Sequence, residues 1–270
     1  MSGSILNNVG AMNASRQLGV TGQGLQQTIQ RLTTGKRINK ASDDAAGLAI
    51  ANKLGSDVRV AGQGQRNAND GISYLQVADG VLDEVTSLLT RAAELAQQAA
   101  SGTSGADSGT GKTALNSEFQ NIVKTIADIE SKTVFNGASV FNAASALSVA
   151  VGGFSTVNIT VGTFASLVAG TDVMDTMAGA QAVAAKLSTA LDNVSALRGT
   201  IGATQQQLNS LANSLGIQMQ NFTAAQSQIQ DANVSDEVVA LSKFQILNQS
   251  GISALSQANQ ASQSVLKLLQ

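Results

Sequence analysis

Apolar residues recur at alternating steps of three and four in three long stretches of the chain. The longest run is Leu187, Ala190, Val194, Leu197, Ile201, Thr204, Leu208, Leu211, Leu215, Gln218, Phe222, Ala225 and Ile229. A repeat of about 3.5 residues held over several heptads predicts a long helix that winds left-handedly against partners. Thr204 and Gln218 are polar breaks in the seam, which set register or face a small neighbour. A second run is Leu75, Ala78, Leu82, Val85, Leu89, Ala92, Ala96 and Ala99, and a third is Leu115, Phe119, Ile122, Ile126 and Ile129. Between these two, SGTSGADSGTGK carries no large apolar residue and reads as an exposed turn between antiparallel helices. Three helices with heptad spacing predict a bundle.

The period changes in ALSVAVGGFSTVNITVGTF. Leu147, Val149 and Val151 alternate with small or polar residues, as do Val157, Ile159 and Val161. A period of two with GGFS between the arms predicts one β-hairpin near 145–165. An isolated hairpin is marginal in water, so it must pack on the helices. The fold class expected is mainly α, a coiled-coil bundle of long helices with one small hairpin.

Both chain ends carry thin apolar stripes. Ile5, Val9 and Met12 share a face, and Leu18, Gly22, Leu25, Ile29 and Leu32 continue it. At the other end Phe244, Leu247, Gly251, Leu255, Ala258, Ser262, Val265 and Leu269 step by three or four, with Leu266 beside them. Such diluted helices gain most of their stability from packing. They are expected to pair with each other and with neighbouring molecules. Ser42 or Asp43 reads as the cap of a helix starting near Asp44, and Ser235 as the cap of one starting at Asp236. Two layers follow: residues 1–42 with 233–270 as a terminal coiled coil, and 43–232 as an outer bundle with the hairpin.

Composition narrows the chemistry. The sequence has no Pro, Cys, His or Trp and one Tyr. Helices can therefore run unbroken, while the Ser-His, Cys-His and zinc-water mechanisms lack their parts. Asp43 and Asp44 are adjacent, do not face one another on a helix, and read as capping residues rather than a catalytic pair. No catalytic residue, cofactor or metal is expected. The GQG at Gly22–Gly24 and at Gly62–Gly64 does not extend to GxGxxG after a strand and reads as close helix packing. A net charge of -2 opposes association little and offers no basic footprint for nucleic acid. The amphipathic ends lack the basic polar faces of membrane-surface helices, so a protein partner is expected rather than a membrane. The N-terminal stretch has neither a basic n-region nor an apolar run of signal-peptide length.

Several of these segments resemble bacterial flagellin. LTTGKRINKASDDAAGLAIANKL is similar to the family's N-terminal signature, RNANDGISYLQVADGVLDEV and the Phe135–Gly137 FNG also match, and QILNQSGISALSQANQASQSVLKLL is similar to its terminal helix. The resemblance implies a secreted, non-enzymatic subunit that polymerises into the flagellar filament, a helical homopolymer. It implies a short form, with only the paired ends as inner layer and the helical bundle as outer layer. It implies export without a cleavable leader, and partners in an export chaperone, a filament cap and hook-junction proteins. It also implies a surface for Toll-like receptor 5. The stretch TRAAELAQQ matches that motif at Arg91, Glu94, Leu95, Ala96 and Gln98, with Glu118 at the partner position and Ala93 where a second Arg belongs. A hook–filament junction protein and a secreted monomeric binding module are the alternatives.

Overall fold

The computed structural model describes residues 8–104, 109–141, 146–153, 155–164 and 172–268. Five helices account for most of them: α1 (Val9–Thr34), α2 (Ala45–Ala100), α3 (Thr110–Lys132), α4 (Met177–Gln230) and α5 (Val234–Leu268). A short 3-10 turn follows α2 at Gly102–Ser104. Two antiparallel strand pairs are present, β1 (Val134–Phe135) with β2 (Ala138–Ser139), and β3 (Ala146–Ala150) with β4 (Thr156–Thr160). Packing divides the chain into two compact units, Met1–Val58 with Gln220–Gln270, and Arg59–Met219. This division falls inside α2 and α4, whereas the breaks between helices lie at residues 35–44 and 231–233.

In the second unit the predicted heptads form the core. Leu75, Ala78, Leu82, Val85, Leu89, Ala92, Ala96 and Ala99 of α2 are all buried. Phe119, Ile122 and Ile126 of α3 join them, as do Leu187, Ala190, Val194, Ile201, Leu208 and Leu215 of α4. α4 begins at Met177, and Ala180 and Val183 extend its buried seam toward the N-terminus. Gln218 is exposed, and Met219 packs against the core in its place.

The predicted hairpin lies on this bundle as β3–β4, with Leu147 opposite Ile159 and Val149 opposite Val157, and its connection takes in Val151 as well as GGFS. Val149, Val151, Val157, Ile159 and Val161 point inward, while Leu147 stays partly exposed. A Cβ on Gly64 of α2 would sit 2.8 Å from the Val151 carbonyl carbon, so the end of the hairpin needs this residue bare. The β1–β2 pair is an element that the apolar periodicity does not predict. Its Asn-Gly is nonetheless a strong two-residue hairpin signal.

In the first unit, α1 and α5 run antiparallel. Asn8 meets Ser262, Leu18 meets Gly251, Gly24 meets Phe244, and Arg31 meets Glu237. Helix starts sit one or two residues from their expected caps. Asp44 Oδ1 accepts from the Gly47 amide at 2.8 Å and caps α2, so the capping role belongs to Asp44 rather than Ser42 or Asp43. Asn233 Oδ1 accepts from the Ser235 amide at 3.0 Å at the start of α5. Ser235 therefore lies inside the helix, followed by Asp236 and Glu237, whose charge suits the N-terminal dipole. The two connectors meet through a bridge of Lys36 and Asp231, with Arg37 N donating to Gln230 O at 2.7 Å.

Candidate self-assembly surface

The α1 side of the α1–α5 contact is Ala11, Ala14, Leu18, Thr21, Leu25, Thr28 and Leu32, each buried or half-buried. The α5 side is Glu237, Leu241, Phe244, Asn248, Gly251, Leu255, Ala258 and Ser262, all half-buried. Both rows alternate threes and fours, as a heptad seam requires. The seam is small and partly polar. The buried Thr21 hydroxyl is satisfied within its own helix, donating to Gln17 O at 2.9 Å. Near the tip, Asn8 caps α1 through Ala11 N and donates across to Ala258 O at 3.1 Å. Near the other end Arg31 pairs with Glu237 at 3.3 Å.

The expected single stripe at each end is in fact two faces. Leu25, Leu32, Phe244 and Leu255 lie in the intrachain seam, whereas Val9, Met12, Ile29 and Leu247 are exposed. The step from Met12 to Leu18 is six residues, which breaks a heptad and moves the row to another face. Phe244 to Gly251 can be crossed through Leu247 or Asn248 with equal regularity, and the structure uses Asn248. Ile5 and Leu269 fall outside the described residues, as do the side chains of Val265 and Leu266.

Away from the seam, both helices present large apolar side chains to solvent. α1 shows Val9, Met12 and Val20, and α5 shows Val238, Val239, Ile246 and Ile252. Val239 is 69% exposed and Ile246 67%. Val20, Val238, Val239, Ile246 and Ile252 lie outside the predicted stripes. Val239 and Ile246 lie about half a turn from the seam and Val20, Val238 and Ile252 flank it, the mark of a helix that needs partners on more than one side.

The other predicted surface lies on α2 and α3. Arg91 Nη2 bonds Glu118 Oε1 at 2.8 Å and Nη1 bonds Glu94 Oε2 at 3.2 Å, with all three side chains solvent-exposed. The bonds to Glu118, then those to Glu94, push the guanidinium pKa up from its ordinary value. Leu95 belongs to the core instead, with 1% of its surface exposed, because it lies on the buried face of α2. Among the described residues, no three acidic side chains group into a metal site, and no helix is long and apolar enough to cross a membrane.

The family model for the bacterial flagellin N-terminal helical region matches residues 5–146, and that for the C-terminal helical region matches 184–269. A flagellin of Halalkalibacterium halodurans is 36% identical over 273 residues, covering 98% of this chain and 99% of that protein. The flagellin FlaB2 of Treponema pallidum is 34% identical over 289 residues with the same coverage. The crystal structure of Bacillus cereus flagellin aligns with a TM-score of 0.51 at 28% identity, covering 56% of this chain and 88% of that one.

The chain belongs to the bacterial flagellin family. It is a structural subunit of the flagellar filament, in the short form with only the core layers. Flagellin relatives match 98% of it, and among the described residues of the stretch between the two family regions, 147–183, the elements are the β3–β4 hairpin and the start of α4. Its N- and C-terminal helices pair.

Proposed function

We propose that the filament is built through the outward faces of α1 and α5, with the inward seam reserved for holding the two chain ends together. The observation that carries this reading is the exposed apolar side chains on both helices, Val9 and Met12 on α1 and Val239 and Ile246 on α5. Burying a side chain of this kind contributes about 1.5–3 kcal/mol. Association costs roughly 4–15 kcal/mol in lost freedom. One residue cannot offset that, whereas a row on two helices can. The terminal coiled coil of residues 1–42 and 233–270 then forms the inner layer and residues 43–232 the outer one.

Export to the cell exterior without a cleavable leader, and meetings with a chaperone, a filament cap and hook-junction proteins, belong to the same reading. The partly polar seam supports it, since weakly held ends can remain open until a partner covers them. Seeded polymerisation followed by sedimentation is the test. The full chain is expected to move into large polymers as concentration rises. A secreted monomeric binding module would stay small at every concentration, and that outcome would refute the proposal.

A second surface has its own support. Arg91, Glu94 and Glu118 form an exposed, mutually oriented charge cluster, which suits recognition by Toll-like receptor 5. Arg91→Ala is expected to lower signalling in a receptor reporter assay without changing polymerisation. Unchanged signalling would remove Arg91 from that surface.

A further inference from the structure

The β1–β2 turn holds chemistry that the core packing does not use. Asn136–Gly137 is the sole Asn-Gly pair in the sequence. It makes the two-residue connection between Phe135 and Ala138, with Asn136 at φ 50° and Gly137 at φ 81°. In a two-residue hairpin the ladder bonds join the flanking residues, so the Gly137 amide lies outside the ladder. Both residues are exposed, and a Cβ on Gly137 would meet nothing within 4 Å. The following residue thus neither shields the Asn136 carboxamide nor restricts its approach to the main chain.

Other Asn residues stand differently. Asn69, Asn116, Asn209 and Asn213 lie inside α2, α3 and α4. There the next residue's amide is tied to a carbonyl one turn back and is held away from the side chain. Their following residues also carry side chains. Asn is a labile residue, and its lability depends on how freely that next amide can reach it.

We propose that Asn136 is a spontaneous modification site in the native protein, converting to aspartate and isoaspartate. The deprotonated Gly137 nitrogen attacks Asn136 Cγ and a new C–N bond closes a five-membered succinimide. The Cγ–Nδ2 bond breaks, and ammonia leaves with the proton. Water then opens the ring. Cleavage of the new bond leaves an aspartate, and cleavage of the original peptide bond leaves an isoaspartate whose main chain runs through the side-chain carbon. One water enters and one ammonia departs, with no redox change. Because the nucleophile is the deprotonated amide, the rate rises with pH.

The isoaspartate adds an atom to a turn that has no slack. The pairing of Val134 with Ser139 depends on that turn. So does the seat of Phe135, whose ring meets Tyr74 edge-on at 5.6 Å. Either product also places a carboxylate on the rim of a groove that already contains Asp70. Tyr74 is the sole tyrosine and there is no Trp, so its emission reports on this corner alone.

The test ages the purified full-length chain at mildly alkaline pH, then combines peptide mapping by mass spectrometry with labelling by an isoaspartyl methyltransferase. Deamidation is expected first and mainly at position 136, with both products present and a change in Tyr74 emission. Asn136→Gln, which would need a six-membered ring, is expected to lose the methyl label and to keep its emission on ageing. The proposal is overturned if position 136 stays intact while helical Asn residues deamidate. It is equally overturned if position 136 stays intact while a short peptide of residues 132–140 reacts under the same conditions, since the folded turn would then be protective.

Discussion

Gly24 shows how tightly the paired ends are matched. A Cβ there would lie 2.7 Å from the Phe244 ring, so the aromatic side chain of α5 seats directly on the α1 backbone. Gly24→Ala is therefore expected to destabilise the α1–α5 pair by about 1–3 kcal/mol, the usual cost of overpacking. Phe244→Leu in the same chain should recover part of that loss, so a double-mutant cycle read by thermal unfolding will be non-additive. Additive losses would show that the two residues do not meet. Asp43 makes a different residue-scale claim. Its carboxylate accepts the backbone amides of Asn39 and Lys40 at 3.1 and 3.0 Å, and these bonds, Asn39 first, hold its pKa below the usual range. A depressed carboxylate pKa stabilises the fold above the unfolded value, and the contribution is lost as pH falls through the folded one. Amide-exchange protection at Asn39 and Lys40 should hold at neutral pH and fade in strong acid. Asp43→Ala, which removes the accepting oxygen, should lack it throughout.

At the scale of elements, the heptads of α2, α3 and α4 fix the bundle of the second unit, and charge contributes little. Leu82 is fully buried. Leu82→Ala is expected to cost about 2–5 kcal/mol in denaturant unfolding. Arg198 bonds Asp79 at 2.9 Å and Asp83 at 2.8 Å across α4 and α2, yet all three side chains are substantially exposed. Arg198→Ala should cost less than about 1 kcal/mol in the same measurement. A reversed order would mean that the bundle is held by its surface charges. The heptads were legible because 3.5-residue periodicity is redundant over many turns, so polar breaks such as Thr204 do not erase it. The hairpin was legible for the same reason, through its alternation. What stayed hidden was short or ambiguous. The β1–β2 pair has two residues per strand, too few to show a period. Capping was offset from Asp43 to Asp44 and from Ser235 to Asn233, because clustered Ser, Asn and Asp residues are all chemically competent caps.

For the molecule as a whole, the terminal helices carry two kinds of apolar face. Sequence spacing found apolar residues at both ends but merged the faces. Leu255 and Leu247 both fit a step of three or four, yet one sits in the seam and the other faces outward. No local rule separates them, since the distinction depends on the register that α1 imposes on α5. The proposed assembly gives the two faces separate roles. Substitutions in the seam, such as Leu255→Asp, should unpair the ends and so block assembly indirectly. Substitutions on the outward face should block assembly while the pair remains. The most direct test is the double substitution Val239→Asp with Ile246→Asp, followed by seeded polymerisation and electron microscopy, with helix content read by circular dichroism. The predicted result is unchanged helix content and no filaments. Filaments of normal length and number from that variant would contradict the assignment of the outward face to assembly.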